Sequence, residues 1–208
     1  MIIEILFIIV IGLIILVNML FRSVVKTTRE LKNGTGLSGF EIARKLSNIL
    51  SKEEPHIIKK QGKYLDHYNK ERNTIKLSPE VFDGEDIYAA AIAVNTALET
   101  DPERKNIPLG RKINAFLVIA SYILIILGAF ASNTLVIHLG MVLIILTFII
   151  EFILIAVLFK GEDELKELYE LIKKEDLIKP IEEYEENGLL LALSRLATLP
   201  YSFMNYFR

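Results

Sequence analysis

The side chains of this chain that could do metal or acid–base chemistry are few. The sequence contains three histidines, His56, His67 and His138, no two of them four residues apart, and no cysteine. A metal site would therefore need His, Asp or Glu ligands. Asp66, His67 and Glu99 lie in one polar segment, and their carboxylates would suit Mg²⁺ or Ca²⁺ better than zinc. The competing interpretation is structural, because an isolated carboxylate or histidine more often caps a helix or ends a strand.

Glu151 is a second candidate, because a carboxylate within an apolar block is a functional hypothesis by default. If the blocks on either side of Asn133 fold as a hairpin, Glu151 comes level with Ala115. Arg111 and Lys112 are then within its reach, since long basic side chains extend toward the membrane boundary. An ion pair is the favoured prediction, and a proton or ion pathway is the alternative.

These side chains must be positioned by a membrane protein. The chain has 208 residues and a mean hydropathy of +0.40, with its apolar residues concentrated in blocks. Residues 2–21, 115–131 and 135–159 are each long enough, or nearly so, to cross the ~30 Å hydrocarbon core as a helix. Residues 189–207 are apolar but contain Arg195 and Pro200, so they either form a fourth span or lie in the interface.

The charged residues next to the blocks predict an orientation. Basic residues follow the first block and precede the second, whereas residues 132–134 between the second and third carry no charge. We therefore expect a multi-pass protein of the cell membrane with its N-terminus outside and its polar segments in the cytoplasm. The net charge of −2, without a clustered basic run, argues against nucleic acid as a partner.

The polar segment is long enough for a small domain of its own. Ser38 and Glu41 form an S-x-x-E capping box, which predicts a helix. A second helix is predicted to start near Asp83 or Asp86, from where good helix formers continue to Glu99. Between them, β-rich runs at 56–58, 63–68 and 73–77 predict a small antiparallel sheet.

The predicted fold class is an α-rich integral membrane protein with three transmembrane helices, or four, and a small α+β cytoplasmic domain. We expect four parts: a first membrane helix, the α+β domain, a membrane hairpin, and an amphipathic helix followed by the C-terminal apolar segment. Their boundaries are 1–21, 22–112, 113–159 and 160–208.

Several separated motifs resemble one family. The sequences "TGLSGFEIARKL", "YLDHY" and "NTIKLSPEVFDGEDIYAAAIAV" keep the order and spacing found in the membrane-anchored neutral zinc metallopeptidases of the YugP type. The resemblance covers roughly residues 25–114 and extends as a layout through the third apolar block. It implies a zincin-like domain, a zinc cofactor and an H-E-x-x-H helix, in which two histidines hold zinc and the glutamate accepts a proton from its water.

The residues at the catalytic positions differ from that motif. Counting from Asp66, the two ligand positions fall on Asn95 and Glu99 and the general base falls on Thr96. The family's third ligand, a Glu before Phe, falls on Leu158, unless the alignment shifts to Glu151. We therefore expect no catalytic residues and no metal, with zinc lost.

The leading hypothesis is a pseudoprotease, a membrane-bound scaffold whose partners are the lipid bilayer and an extended peptide or another membrane protein. Its cleft would contain Asp66, His67, Tyr68 and Glu99, and the peptide would be held by strand addition. One alternative is an active hydrolase that uses Asp66, His67 and Glu99 as an unconventional ligand set. The other is a structural membrane subunit.

Overall fold

A computed structural model describes residues 2–51, 53–61, 66–104, 106–159, 169–182 and 184. The chain divides into two compact units. Within the described residues, 2–21 and 109–156 form the membrane unit, and 22–104, 106–108, 157–159, 169–182 and 184 form the polar unit.

Three helices are long and apolar enough to cross a membrane. They are α1 (Ile2–Glu30), α5 (Asn106–Phe130) and α6 (Thr134–Phe159). Helix α1 continues nine residues past the apolar block that predicted it, and α5 begins nine residues before its block, so both extend into polar sequence. The predicted segment 189–207 and residues 160–168 of the predicted amphipathic helix lie outside the described residues.

The membrane unit is packed through small residues and branched apolar side chains. Val10, Ile14 and Ile144 form a buried cluster within it. At Gly140, an added Cβ would lie 2.9 Å from the Ser121 carbonyl oxygen, so α5 and α6 approach closely there. Small residues at helix contacts are the usual means of close packing in lipid.

The described residues of the polar unit form four shorter α-helices: α2 (Gly39–Leu50), α3 (Pro79–Phe82), α4 (Ile87–Leu98) and α7 (Tyr169–Lys174). The predicted capping box of α2 is present, with Ser38 Oγ accepting from the Glu41 amide and the Glu41 side chain accepting from the Ser38 amide. Helix α4 packs against α2 and α3, and all residues from Tyr88 to Leu98 are buried.

The sheet of the polar unit has three strands, β1 (His56–Lys59), β2 (His67–Asn69) and β3 (Thr74–Leu77), in the order β1-β3-β2. Strands β2 and β3 are antiparallel, as predicted. The prediction was wrong for β1, which pairs in parallel with β3. The reason is that β1 and β2 lie on opposite sides of β3. The chain passes from β1 to the far side of β3, forms β2 there, and turns back as a hairpin into β3, which therefore runs in the same direction as β1. Residues 63–65 of the predicted second strand lie outside the described residues.

A glycine-containing loop, residues 31–38, joins α1 to α2. Asn33 is 1% exposed, and its Oδ1 accepts from the Thr35 and Gly36 amides while Nδ2 donates to the Leu37 carbonyl at 2.7 Å. Gly34 and Gly36 have φ of 68° and 70°, a conformation that suits glycine. This internal bonding places the start of α2 beside α4.

Candidate functional site

Helix α4 is the element on which the predicted catalytic positions lie. It begins at an Asp86 N-cap, whose carboxylate accepts from the Ala89 amide at 2.8 Å. The alanines that follow have high helix propensity and small side chains, so neighbouring elements can approach the helix closely. Every residue on it from Tyr88 to Leu98 is buried, and so is Glu99, the residue that ends it.

The three substituted positions are enclosed in the polar unit. Asn95 is 3% exposed, Thr96 is fully buried and Glu99 is 2% exposed. The Thr96 hydroxyl donates to the Ile92 carbonyl one turn earlier, at 2.8 Å. Thr100 repeats this pattern with the Ala97 carbonyl, at 2.7 Å. The hydroxyls at this end of α4 are therefore used within their own helix.

These residues do not fit the zinc that an H-E-x-x-H helix holds. A carboxamide and one carboxylate replace the two imidazoles, and carboxamides are weak zinc ligands. Threonine cannot accept a proton from a metal-bound water at neutral pH, and the Thr96 hydroxyl already donates to Ile92. The third position, Leu158, lies on α6, and its side chain lies outside the described residues.

Asp66 and Tyr68, two of the residues predicted to line a cleft, hydrogen-bond to the residues on either side of β3. Asp66 accepts hydrogen bonds from both the amide and the hydroxyl of Ser78, at 2.7 and 3.0 Å, and thereby fixes the residue before α3. Tyr68 donates its hydroxyl to Asn73 at 2.9 Å. Burial raises the pKa of the Tyr68 phenol, and the charge of Glu53 adds to the effect. Both side chains therefore have structural roles in the sheet.

His67 lies on the other face of the sheet from Tyr68, since successive side chains on a strand alternate. It pairs with Lys76, whereas Tyr68 pairs with Ile75. The Ile75 face is the one that meets α3, because on this face the Lys59 ammonium lies 5.0 Å from the Phe82 ring centre. His67 lies on the opposite face, where it is 4% exposed. In the part of the chain that the structure describes, no three His, Asp or Glu side chains are grouped as metal ligands.

An open strand edge lies elsewhere in the polar unit. Strand β1 ends the sheet on one side, and within the described residues no strand pairs with its outer edge. His56 and Lys60 donate their amides inward, to Asn73 and Leu77 of the β3 segment. The backbone groups of Ile57 and Lys59 must then point outward, because hydrogen-bonding direction alternates along a parallel strand.

A cavity adjoins this edge. Its volume is about 360 Å³, and it is lined by Phe40, Arg44, Glu54, Pro55, His56 and Ile57. The apolar part of the lining comes from α2 and β1, and Arg44 and Glu54 form an ion pair at 3.2 Å on its rim. Sequence reasoning did not find this cavity, because its lining residues come together only through the packing of β1 on α2.

Glu151 lies in a polar cluster of the membrane unit. Arg111 Nε is 4.0 Å from Glu151 Oε1, and both side chains are buried. The shorter contact comes from Asn114, whose Nδ2 donates to Glu151 Oε2 at 2.9 Å and to the Thr147 carbonyl at 3.1 Å. The sequence analysis did not identify Asn114. The hairpin about Asn133 that brought Arg111 within reach of Glu151 also brings residue 114 level with Glu151.

The fold and the site together define a class: a helix-rich protein with three candidate membrane spans and a small polar unit, in which a buried alanine-rich helix packs beside a three-stranded sheet. A family model described as "Putative neutral zinc metallopeptidase" matches residues 3–192. The chain belongs to that family, and the resemblance drawn from its motifs is confirmed. A search of the curated proteins and of the solved structures finds no match.

Proposed function

We propose that this chain is a catalytically inactive, zincin-like member of its family that holds an extended polypeptide segment in the membrane-bound state. The inactivity is supported by the donor set of α4, in which Asn95, Thr96 and Glu99 replace two imidazoles and a general base. From the charge distribution, the N-terminus lies outside the cell and the polar unit lies in the cytoplasm. The segment would belong to another membrane protein.

The observation that carries the binding proposal is the outer edge of β1 beside its cavity, an edge with which no strand pairs in the described part of the chain. An extended segment can add to such an edge through main-chain hydrogen bonds, while a pocket beside the edge accepts alternate side chains. The outward groups of Ile57 and Lys59 would supply the hydrogen bonds. The cavity lined by Phe40, Pro55 and Ile57 would take one large apolar side chain.

The inactivity is tested by metal content and proteolysis. We expect the chelator-free protein in detergent micelles to contain no stoichiometric zinc by elemental analysis and to leave casein uncut. Glu99→Ala should not change either result. Stoichiometric zinc together with chelator-sensitive cleavage would overturn the proposal, and a metal content that fell in Glu99→Ala would favour the hydrolase alternative instead.

The binding is tested with a library of fluorescent extended heptapeptides, each carrying one central aromatic residue, and fluorescence anisotropy. Ile57→Pro removes an outward amide without removing a hydrogen bond to β3, so it should weaken binding about tenfold. The matched control is Ile58→Thr, because Ile58 lies on the opposite face and its amide points inward. Binding that survives Ile57→Pro, or no binding by any peptide, would leave the structural-subunit alternative.

A further inference from the structure

The cavity beside the outer edge of β1 has a mixed lining. Three of its lining residues are apolar and three are polar: Phe40, Pro55 and Ile57, and Arg44, Glu54 and His56. A purely apolar side chain inserted from a bound segment would cover polar groups without bonding to them, and covering an unbonded polar group costs free energy. The lining therefore favours a side chain that has an apolar body and a polar tip.

The polar groups at the rim of the cavity have bonding capacity to spare. Arg44 and Glu54 touch through one contact, at 3.2 Å between Nε and Oε1. Among the described residues, the two terminal nitrogens of the Arg44 guanidinium and the second carboxylate oxygen of Glu54 have no partner. Each of the two side chains is 57% exposed, so both reach solvent. The rim therefore offers N–H donors and a carboxylate acceptor to a group that enters from outside.

The apolar side of the cavity is held in place by aromatic packing. The Phe40 ring stacks on the Phe82 ring with 4.8 Å between the ring centres, and the Lys59 ammonium lies 5.0 Å from the centre of the Phe82 ring. Arg44 follows Phe40 by four residues on α2, so both side chains project from the same face of the helix, with Cβ atoms about 5–6 Å apart. A phenol group spans about this distance, so a ring packed on Phe40 can reach Arg44 with its far end.

The charges of the rim favour a neutral tip. Arg44 and Glu54 form an ion pair whose charges cancel, so an acidic tip is attracted by Arg44 and repelled by Glu54, and a basic tip the reverse. Among the neutral side chains with a large apolar body, phenylalanine has no group to bond to either residue, and the indole of tryptophan only donates. The hydroxyl of tyrosine both donates and accepts, so it can bond to a carboxylate and a guanidinium that lie side by side.

We infer that the cavity takes a tyrosine side chain of the bound segment, an inference that rests on the strand addition proposed above. The phenol ring would pack on Phe40, Pro55 and Ile57, and its hydroxyl would donate to Glu54 and accept from Arg44. Tyrosine hydroxyls that are covered by protein usually keep a hydrogen-bond partner. A site that bonds a hydroxyl discriminates against the analogue that lacks it, so the cavity disfavours phenylalanine.

The test compares fluorescent extended heptapeptides that are identical except for tyrosine, phenylalanine or tryptophan at the central position. Fluorescence anisotropy measures their binding to the full-length protein in uncharged detergent micelles. We expect the tyrosine peptide to bind about tenfold more tightly than the phenylalanine peptide, which is the effect of one hydrogen bond to a charged group that stays partly in water. The affinity of the tryptophan peptide should lie between the two, because its indole can bond to Glu54 alone.

A double variant assigns the preference to the rim. Arg44→Met combined with Glu54→Met removes both polar tips without leaving either charge unpaired, and both residues are exposed, so the fold should persist. The phenylalanine peptide should still bind, and the preference for tyrosine should disappear. The matched control is Lys32→Met combined with Glu85→Met, which removes another exposed ion pair of the polar unit, at 3.1 Å, that does not line the cavity. This control should keep the preference of the wild type.

The outcomes separate the tyrosine preference from the strand addition. If the tyrosine and phenylalanine peptides bind equally tightly and Ile57→Pro weakens both, the strand addition stands and the tyrosine preference is overturned. The preference is also overturned if tryptophan binds more tightly than tyrosine, or if the double variant at the rim keeps it. A preference that depends on the rim while Ile57→Pro changes nothing supports the tyrosine site and overturns the strand addition. If none of the three peptides binds to the wild type, both fail.

Discussion

Two buried polar side chains, Thr96 in the polar unit and Asn114 in the membrane unit, form different kinds of hydrogen bond. In the polar unit, the hydroxyls of α4 bond to carbonyls of their own helix, as Thr96 does with Ile92. In the membrane unit, Asn114 of α5 bonds to Glu151 and to the Thr147 carbonyl, both on α6. The first kind of bond maintains a helix that would form without it. The second kind joins two helices, and in a low-dielectric environment its partners have no water to replace it.

The largest expected effect comes from breaking the bond between the helices. Glu151→Ala leaves Asn114 and Arg111 buried without their carboxylate partner, and removing one member of a buried charged pair costs about 3 kcal/mol. Glu151→Gln keeps a side-chain acceptor for Asn114 but also removes the charge that faces Arg111, so it should lose about 2 kcal/mol. Thermal unfolding in detergent micelles, followed by circular dichroism, measures both. If the two variants unfold alike, the hydrogen bond from Asn114 contributes nothing beyond the charge, and the contrast between the units weakens.

A moderate loss of stability is expected when the side-chain hydrogen bond that caps α2 is removed. Ser38→Ala removes the side-chain cap from the Glu41 amide, which should cost about 1 kcal/mol of the free energy of unfolding at neutral pH. Ser23→Ala is the control, because Ser23 is exposed on α1 and its side chain does not cap a helix. An equal loss in both variants would contradict the capping role.

The same box predicts a pH dependence. Hydrogen bonds from the Ser38 backbone and side chain lower the pKa of Glu41 below its usual 4.5. A carboxyl whose pKa is depressed in the folded state stabilises the protein above the unfolded pKa. That contribution is lost as the pH falls through the folded-state pKa. Denaturation curves between pH 6 and pH 3 should show a smaller fall in stability in Ser38→Ala than in the wild type.

The sequence predicted structure where the determining interactions lie between residues close in the chain, or where the thickness of a bilayer fixes the length of a helix. Apolar runs predicted the three long helices, because a bilayer fixes their length, and the S-x-x-E spacing predicted the start of α2. The parallel pairing of β1 could not be read in this way, since it depends on where the chain passes after Lys60.

The candidate site was predictable only in part. The spacing from Asp66 assigned Asn95, Thr96 and Glu99 to the catalytic positions of the family, and the structure shows that all three are buried. The cleft expected around Asp66, His67, Tyr68 and Glu99 stays a prediction. The structure adds that the Asp66 carboxylate is bonded to Ser78 and that His67 and Tyr68 lie on opposite faces of β2. Side-chain direction on a three-residue strand depends on register, which the sequence did not determine.

The smallest expected effect comes from removing hydroxyl groups that bond within their own helix. Comparing one such group from each unit tests whether the cost depends on the kind of hydrogen bond or on the unit in which it lies. Thr96→Val in α4 and Thr147→Val in α6 each replace a buried hydroxyl that donates to its own helix, to Ile92 and Ile144 respectively. Valine has nearly the same shape, so each variant should lose less than about 1 kcal/mol of unfolding free energy. Calorimetry in micelles measures both losses. If Thr147→Val costs as much as Glu151→Ala, then location in the membrane unit, and not the link between two helices, makes a polar group costly to remove.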